Sequence, residues 1–121
     1  EFYEMKESVQ KYIETILGKN MVEILDIPNE MEVYKSDVIT VLDMMINYFR
    51  DIMICKEHVD KNMIINADKI TFVQNMSNKI TYSQVSKIID IIEDTKVKIK
   101  GNCNFNVSIQ VMSLNIYEVI K

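Results

Sequence analysis

The chain has 121 residues, 48% of them hydrophobic and 26% charged, with a formal net charge of −4; that is enough for one hydrophobic core and excludes a disordered or collagen-like chain. Two glycines and one proline cannot supply the turns of a β-sandwich or a glycine-rich phosphate loop. The acidic balance argues against a surface dedicated to nucleic acid, and no apolar run approaches the roughly 20 residues that span a bilayer.

From Phe2 to Gly18, the residues Phe2, Met5, Val9, Ile13, Ile16 and Leu17 recur at spacings of three and four, which predicts an amphipathic helix closed by Gly18 and Asn20. A connection containing the only proline follows, with one short helical turn expected at Met21 to Leu25. The next helix is the longest. Ser36 or Asp37 is its expected cap, Val38, Leu42, Met45, Ile46, Phe49, Ile52 and Met53 form its stripe, and it ends near Lys56. Glu57 to Lys61 reads as a loop, and the MIIN segment from Met63 as a return into the core.

Asp68 is the expected cap of a short helix through Ile70, Phe72, Val73 and Met76. Thr81 stands three residues before Gln84, a capping-box spacing for a helix whose stripe is Val85, Ile88, Ile89, Ile92 and Ile99. Gly101 is the expected left-handed stop, and Asn102 or Asn104 caps the last helix. That helix is apolar on two sides, with Phe105, Ile109, Met112, Ile116 and Val119 on one and Val107, Val111 and Leu114 on the other. Such a helix is central in its bundle or shared with another subunit. The expected fold class is all-α, a single bundle of about five helices over residues 1–121.

Catalytic chemistry finds no footing in the residues. Cys55-x-x-His58 has zinc-like spacing without a second ligand pair, Cys103 being the only other thiol. His58 is the only histidine, which removes a histidine-dependent triad. Ser36, Thr81 and Ser83 occupy cap or first-turn positions, and Glu93-Asp94 reads as a solvated helix face. The nine methionines fall mostly on core stripes. Arg50, the only arginine beside thirteen lysines, is expected to hold its helix to a neighbouring carboxylate or carbonyl through its planar fork. The excess of Ile, Lys and Asn fits an AT-rich coding sequence. Two cysteines are too few for a disulfide framework, so a reducing cytoplasmic setting is expected. The chain opens without Met inside a periodic segment, and an excised domain is expected.

The ordered segments YFRDIMICK, MIINAD and NCNFNVSIQVMSLNIYEVI resemble the C-terminal collar domain of the delta-prime subunit of the bacterial DNA polymerase III clamp loader. The matching residues are Tyr48, Arg50 and Asp51 on the long helix, then Ile64-Ile65-Asn66-Ala67-Asp68, then Asn102, Asn104, Val107, Ile109 and Gln110. Gln110 stands where that family carries Glu. The resemblance runs from about Phe2 to Lys121, its first thirty residues matching in helix pattern alone.

The resemblance implies a non-catalytic oligomerisation domain, packed in a ring with homologous domains of the gamma/tau and delta subunits, with ATP-binding AAA+ modules N-terminal to it. Arg50, Asp51, Asn66, Asp68, Thr81, Gln84, Asn102 and Asn104 are the expected structural residues, and Val107, Val111 and Leu114 the candidate subunit interface. No cofactor, metal, small-molecule substrate or membrane is expected, and no direct DNA contact. Two other classes compete. A stand-alone helical adaptor would bind a peptide helix in a Met-lined groove, and a nucleic-acid-binding bundle would need Lys79, Lys87, Lys96, Lys98 and Lys100 in one basic ridge. A gamma/tau-type collar domain is the near alternative within the family.

Overall fold

Apolar residues at spacings of three and four wind the chain into helices throughout the computed structural model, which describes residues 2–57 and 63–121, the side chain of Phe2 excepted. In chain order these are α1 (Phe2–Leu17), α2 (Met21–Leu25), α3 (Ile27–Met31), α4 (Val38–Lys56), α5 (Ile70–Ser77), α6 (Tyr82–Lys100) and α7 (Phe105–Ile120). Short 3-10 turns at Glu32–Asp37 and Ala67–Lys69 lead into α4 and α5. Among the described residues there is no strand, and the all-α expectation holds. Five of the helices have eight residues or more.

The four long helices close a ring in the order α1, α4, α6, α7, each packing on its two neighbours. Fully buried Ile13, Ile16, Leu42, Met45, Phe49, Ile52, Ile88, Ile92, Ile109 and Ile116 form the core between them. Helix α4 is buried on more than one side because α5 covers its outer flank, where Tyr48 and Phe72 meet edge to face at 5.4 Å. Helices α2 and α3 pack against α7. Lys96 of α6 forms an ion pair with Asp43 of α4, adding a polar strap to that apolar seam.

Several local expectations are corrected. The proline-bearing connection is helical. Pro28 sits in the first turn of α3, where its fixed φ is favourable and its missing N–H costs nothing. Neither Ser36 nor Asp37 caps α4 through its side chain, because the chain enters that helix from a 3-10 turn. Lys69 occupies the cap position of α5, and Asp68, one residue earlier, is drawn instead to Lys6 of α1 at 2.7 Å. Gly101 has φ −87° and is not left-handed. The left-handed residue is Asn102, with φ 69°. Its N–H donates to the Ile99 carbonyl at 3.0 Å and that of Cys103 to the Lys98 carbonyl at 3.0 Å, the bond pair of a Schellman motif. At the end of α1 it is Lys19 that turns left-handed, φ 64°, while a Cβ on Gly18 would stand only 3.2 Å from the Glu14 carbonyl. His58 and most of the expected 57–61 loop lie outside the described residues.

Candidate subunit interface

A clasp between distant segments fixes the frame on which any interface stands. Asp51, in the middle of α4, is fully buried, and one of its oxygens accepts the Ile65 N–H at 2.7 Å. The other accepts both the backbone N–H and the side-chain Nδ2 of Asn66, at 2.8 and 2.9 Å. Three donors answer one carboxylate, and hydrogen bonds to a charged acceptor offset its burial. The clasp orients the segment after residue 62 so that Ile64 enters the core while Met63 and Ile65 stay exposed.

Nearby, Lys6 and Lys69 pair α1 with the 3-10 turn through Asp68 and Glu7. The hydrogen bond from Lys6 lowers the Asp68 carboxyl, and that to Glu7 raises the Lys69 ammonium. The Tyr48 hydroxyl is buried beside this cluster with no hydrogen-bond partner among the described residues. Burial first, then the charges of Asp68, Glu7 and Asp51, push its phenol upward.

Arg50 does not make the fork expected of it. Its side chain is 53% exposed and one nitrogen reaches Glu93 of α6 at 3.7 Å, a single solvent-facing ion pair. The position before the buried Asp51 faces outward on α4. Glu93 also pairs with Lys96, and Asp94 pairs with Lys98. Lys96 and Lys98 are thus engaged by acidic neighbours, so the five lysines considered for a basic ridge do not stand as one uncompensated row.

Helices α6 and α7 form an antiparallel pair, tied at both ends. At one end Thr81 and Gln84 make a full capping box: Thr81 Oγ1 accepts the Gln84 N–H at 3.1 Å and Gln84 Oε1 accepts the Thr81 N–H at 2.8 Å. Gln84 Nε2 donates further to the Val119 carbonyl in the last turn of α7, at 3.1 Å. At the other end Asn104 Oδ1 accepts the Val107 N–H at 2.9 Å and starts α7.

This start sets the rotation of α7. Phe105, Ile109, Met112, Ile116 and Ile120 turn inward, together with Ser108 and Ser113. Ser113 bonds the Ile109 carbonyl at 2.9 Å, and on α6 Thr95 bonds that of Ile91 at 2.8 Å, so these hydroxyls are satisfied within their own helices. The second stripe points away from the core: Val107 is 58% exposed, Val111 is 40% exposed and Leu114 is half-buried. Val107 and Val111 line a shallow groove with Ile91, Thr95 and Asn115, edged by Asp94 and Lys98. Ile91 did not stand out in the sequence. Its doublet with Ile92, following Ile88-Ile89, exceeds what one stripe requires, and that excess was the available signal.

The family model described as DNA polymerase III, delta subunit, C terminal, matches residues 8–116. The chain belongs to this family. The matched span begins within α1 and ends within α7, so it takes in α4 and α6 entire, most of α1 and α7, the clasp and the groove. Membership ties the chain to the clamp-loader subunits of DNA polymerase III. The description names delta, whereas the sequence resemblance was drawn to delta-prime. Neither the comparison with curated proteins nor that with solved structures gives a match.

Proposed function

We propose that this chain is the collar-type assembly domain of a clamp-loader subunit of delta-prime type, and that residues 1–121 act as one non-catalytic unit in its ring. The outer α6–α7 groove is the face that meets a neighbouring collar domain, through Val107, Val111 and Leu114 with Ile91 beside them. One observation carries this most: two valines of a helix whose other side is fully used in the core stand 58% and 40% exposed in a groove. Apolar centres rimmed by polar groups are what subunit interfaces bury, and here the rim is the Asp94–Lys98 pair. Direct DNA binding is not favoured, since Lys96 and Lys98 are held by carboxylates.

The double variant Val107→Asp/Val111→Asp tests the assignment in the full-length subunit mixed with its clamp-loader partners. The variant is expected to melt with the wild type, because both positions face solvent, and to drop out of the assembled complex on gel filtration. Assembly at wild-type yield would remove the groove from the interface.

A further inference from the structure

Charge is distributed very unevenly along this chain. Residues 14–37 carry Glu14, Glu23, Asp26, Glu30, Glu32 and Asp37 against Lys19 and Lys35, which is the whole net charge of −4. The remainder of the chain is balanced. Of its eleven lysines, Lys6, Lys69, Lys96, Lys98 and Lys121 each pair with a carboxylate of the chain itself.

The acidic stretch coincides with an exposed apolar helix. On α2, Val22 is 79% exposed, and Met21 and Leu25 also face solvent, while Ile24 alone is buried. Val22 lines a shallow cleft with Thr15 of α1, Glu23, Asp26 and Glu30. Burial first, then Asp26 and Glu23, raise the Glu30 carboxyl, and Lys11 of α1 offsets only part of that rise. Among the described residues no three acidic or other ligating groups converge closely enough to hold a metal ion. The carboxylates of Glu23, Asp26 and Glu30 beside exposed Val22 suit a partner that carries cationic groups next to apolar ones.

We infer that the α2 edge is a second protein-docking surface, which takes a segment of a neighbouring clamp-loader subunit bearing lysine or arginine beside apolar side chains. Val22 and Leu25 supply the apolar contact, and Glu23 and Glu30 receive the cationic groups. A second copy of this chain is a poor occupant, since it brings the same acidic stretch and the same net charge of −4. DNA is repelled by the carboxylates. This inference rests on the proposed assembly role, and it gives the domain two chemically distinct faces, the arrangement that head-to-tail packing requires of each member of a closed ring.

The test uses the full-length subunit and its clamp-loader partner subunits, titrated at about 50 and about 300 mM salt, a range over which exposed charges become screened. Two variants are compared with the wild type: Val22→Ser/Leu25→Ser, and Glu23→Gln/Glu30→Gln. Asp26 is left intact because it holds Asn29 at 3.0 Å. Each variant is expected to weaken association roughly tenfold or more, as an interface anchor does, and the second is expected to flatten the salt dependence. Glu23→Lys, at a solvent-facing position, provides the same readout should Leu25 be needed for folding. Association of all three at wild-type strength overturns the inference. If Val107→Asp/Val111→Asp still fails to assemble in that assay, only the α2 surface falls; if it assembles as well, the assembly role falls with it. Self-association of the subunit alone, or duplex DNA binding, that these α2 variants abolish would assign the face to another occupant and also overturn it.

Discussion

Gln84 and Val119 are thirty-five positions apart in the chain, yet the side-chain amide of the first donates to the backbone carbonyl of the second at 3.1 Å. The other end of the same amide accepts the Thr81 N–H. One residue thus closes the start of α6 and fastens the last turn of α7, where carbonyls have no partner within the helix. Gln84→Ala removes both bonds and is expected to cost about 1–2 kcal/mol. Urea denaturation checks the size. Gln84→Glu keeps the capping acceptor and loses the donor to Val119, so it is expected to recover part of the loss only.

Asp51→Ala is expected to be the most damaging single change at a charged position. It leaves the Ile65 and Asn66 donors without their acceptor, at a cost of roughly 2–4 kcal/mol. Thermal melting reads the loss. Asn66→Ala removes one of the three bonds and is expected to cost less, and the double variant less than the sum, because both act on one contact. Strict additivity would show that the clasp does not act as a unit.

Arg50→Lys is expected to be nearly silent, within about 0.5 kcal/mol, since an exposed single-point ion pair contributes little. The same measurement on Asp51→Asn supplies the contrast. The rarity of arginine drew attention to Arg50 in the sequence, and the neighbour proved to be the buried residue. Nothing local marks Asp51, because its partners arrive from residues 65 and 66 by way of the tertiary fold.

Lys19→Gly is expected to stabilise the domain. Lys19 holds φ 64°, a conformation that costs an L-residue with a Cβ roughly 1 kcal/mol and glycine almost nothing. The gain is read as a rise in denaturation midpoint. Asn102→Gly is expected to gain less, since asparagine tolerates this region better than lysine.

The Lys6–Asp68 pair gives a pH dependence of known sign. Hydrogen bonding from Lys6 lowers the Asp68 carboxyl in the folded state. Its stabilisation is therefore complete above the unfolded value of about 3.9 and is lost as pH falls through the lower folded value. With Asp68 55% exposed, it amounts to no more than about 1 kcal/mol. Melting curves of wild type and Lys6→Gln are expected to differ at neutral pH and converge in acid.

The long helices were legible because their apolar stripes repeat over three or more turns, and Met21–Leu25 was legible as a short helical turn. What the pattern hid has physical reasons. Pro28 reads as a break until its place in a first turn is known. Gly101-Asn102 offers two residues able to end a helix, and only the backbone geometry shows that Asn102 takes the strained position. Ser108 and Ser113 are polar yet buried, and a hydroxyl bonded back to its own helix, as in Ser113, can enter a core. The resemblance led to the right machinery through residues that are spread along the chain, while their joining, Asp51 with Asn66, belongs to the fold.

The two fastenings of the α6–α7 pair have a consequence for the kinetics of assembly. The Gln84 bond at one end and the Asn102–Asn104 turn at the other tie together the helix pair that carries the outward valines. In the proposed interface, this prior tying lowers the ordering cost that docking would incur on this side of the contact. Loosening either fastening is then expected to slow productive association even where every residue of the groove is unchanged.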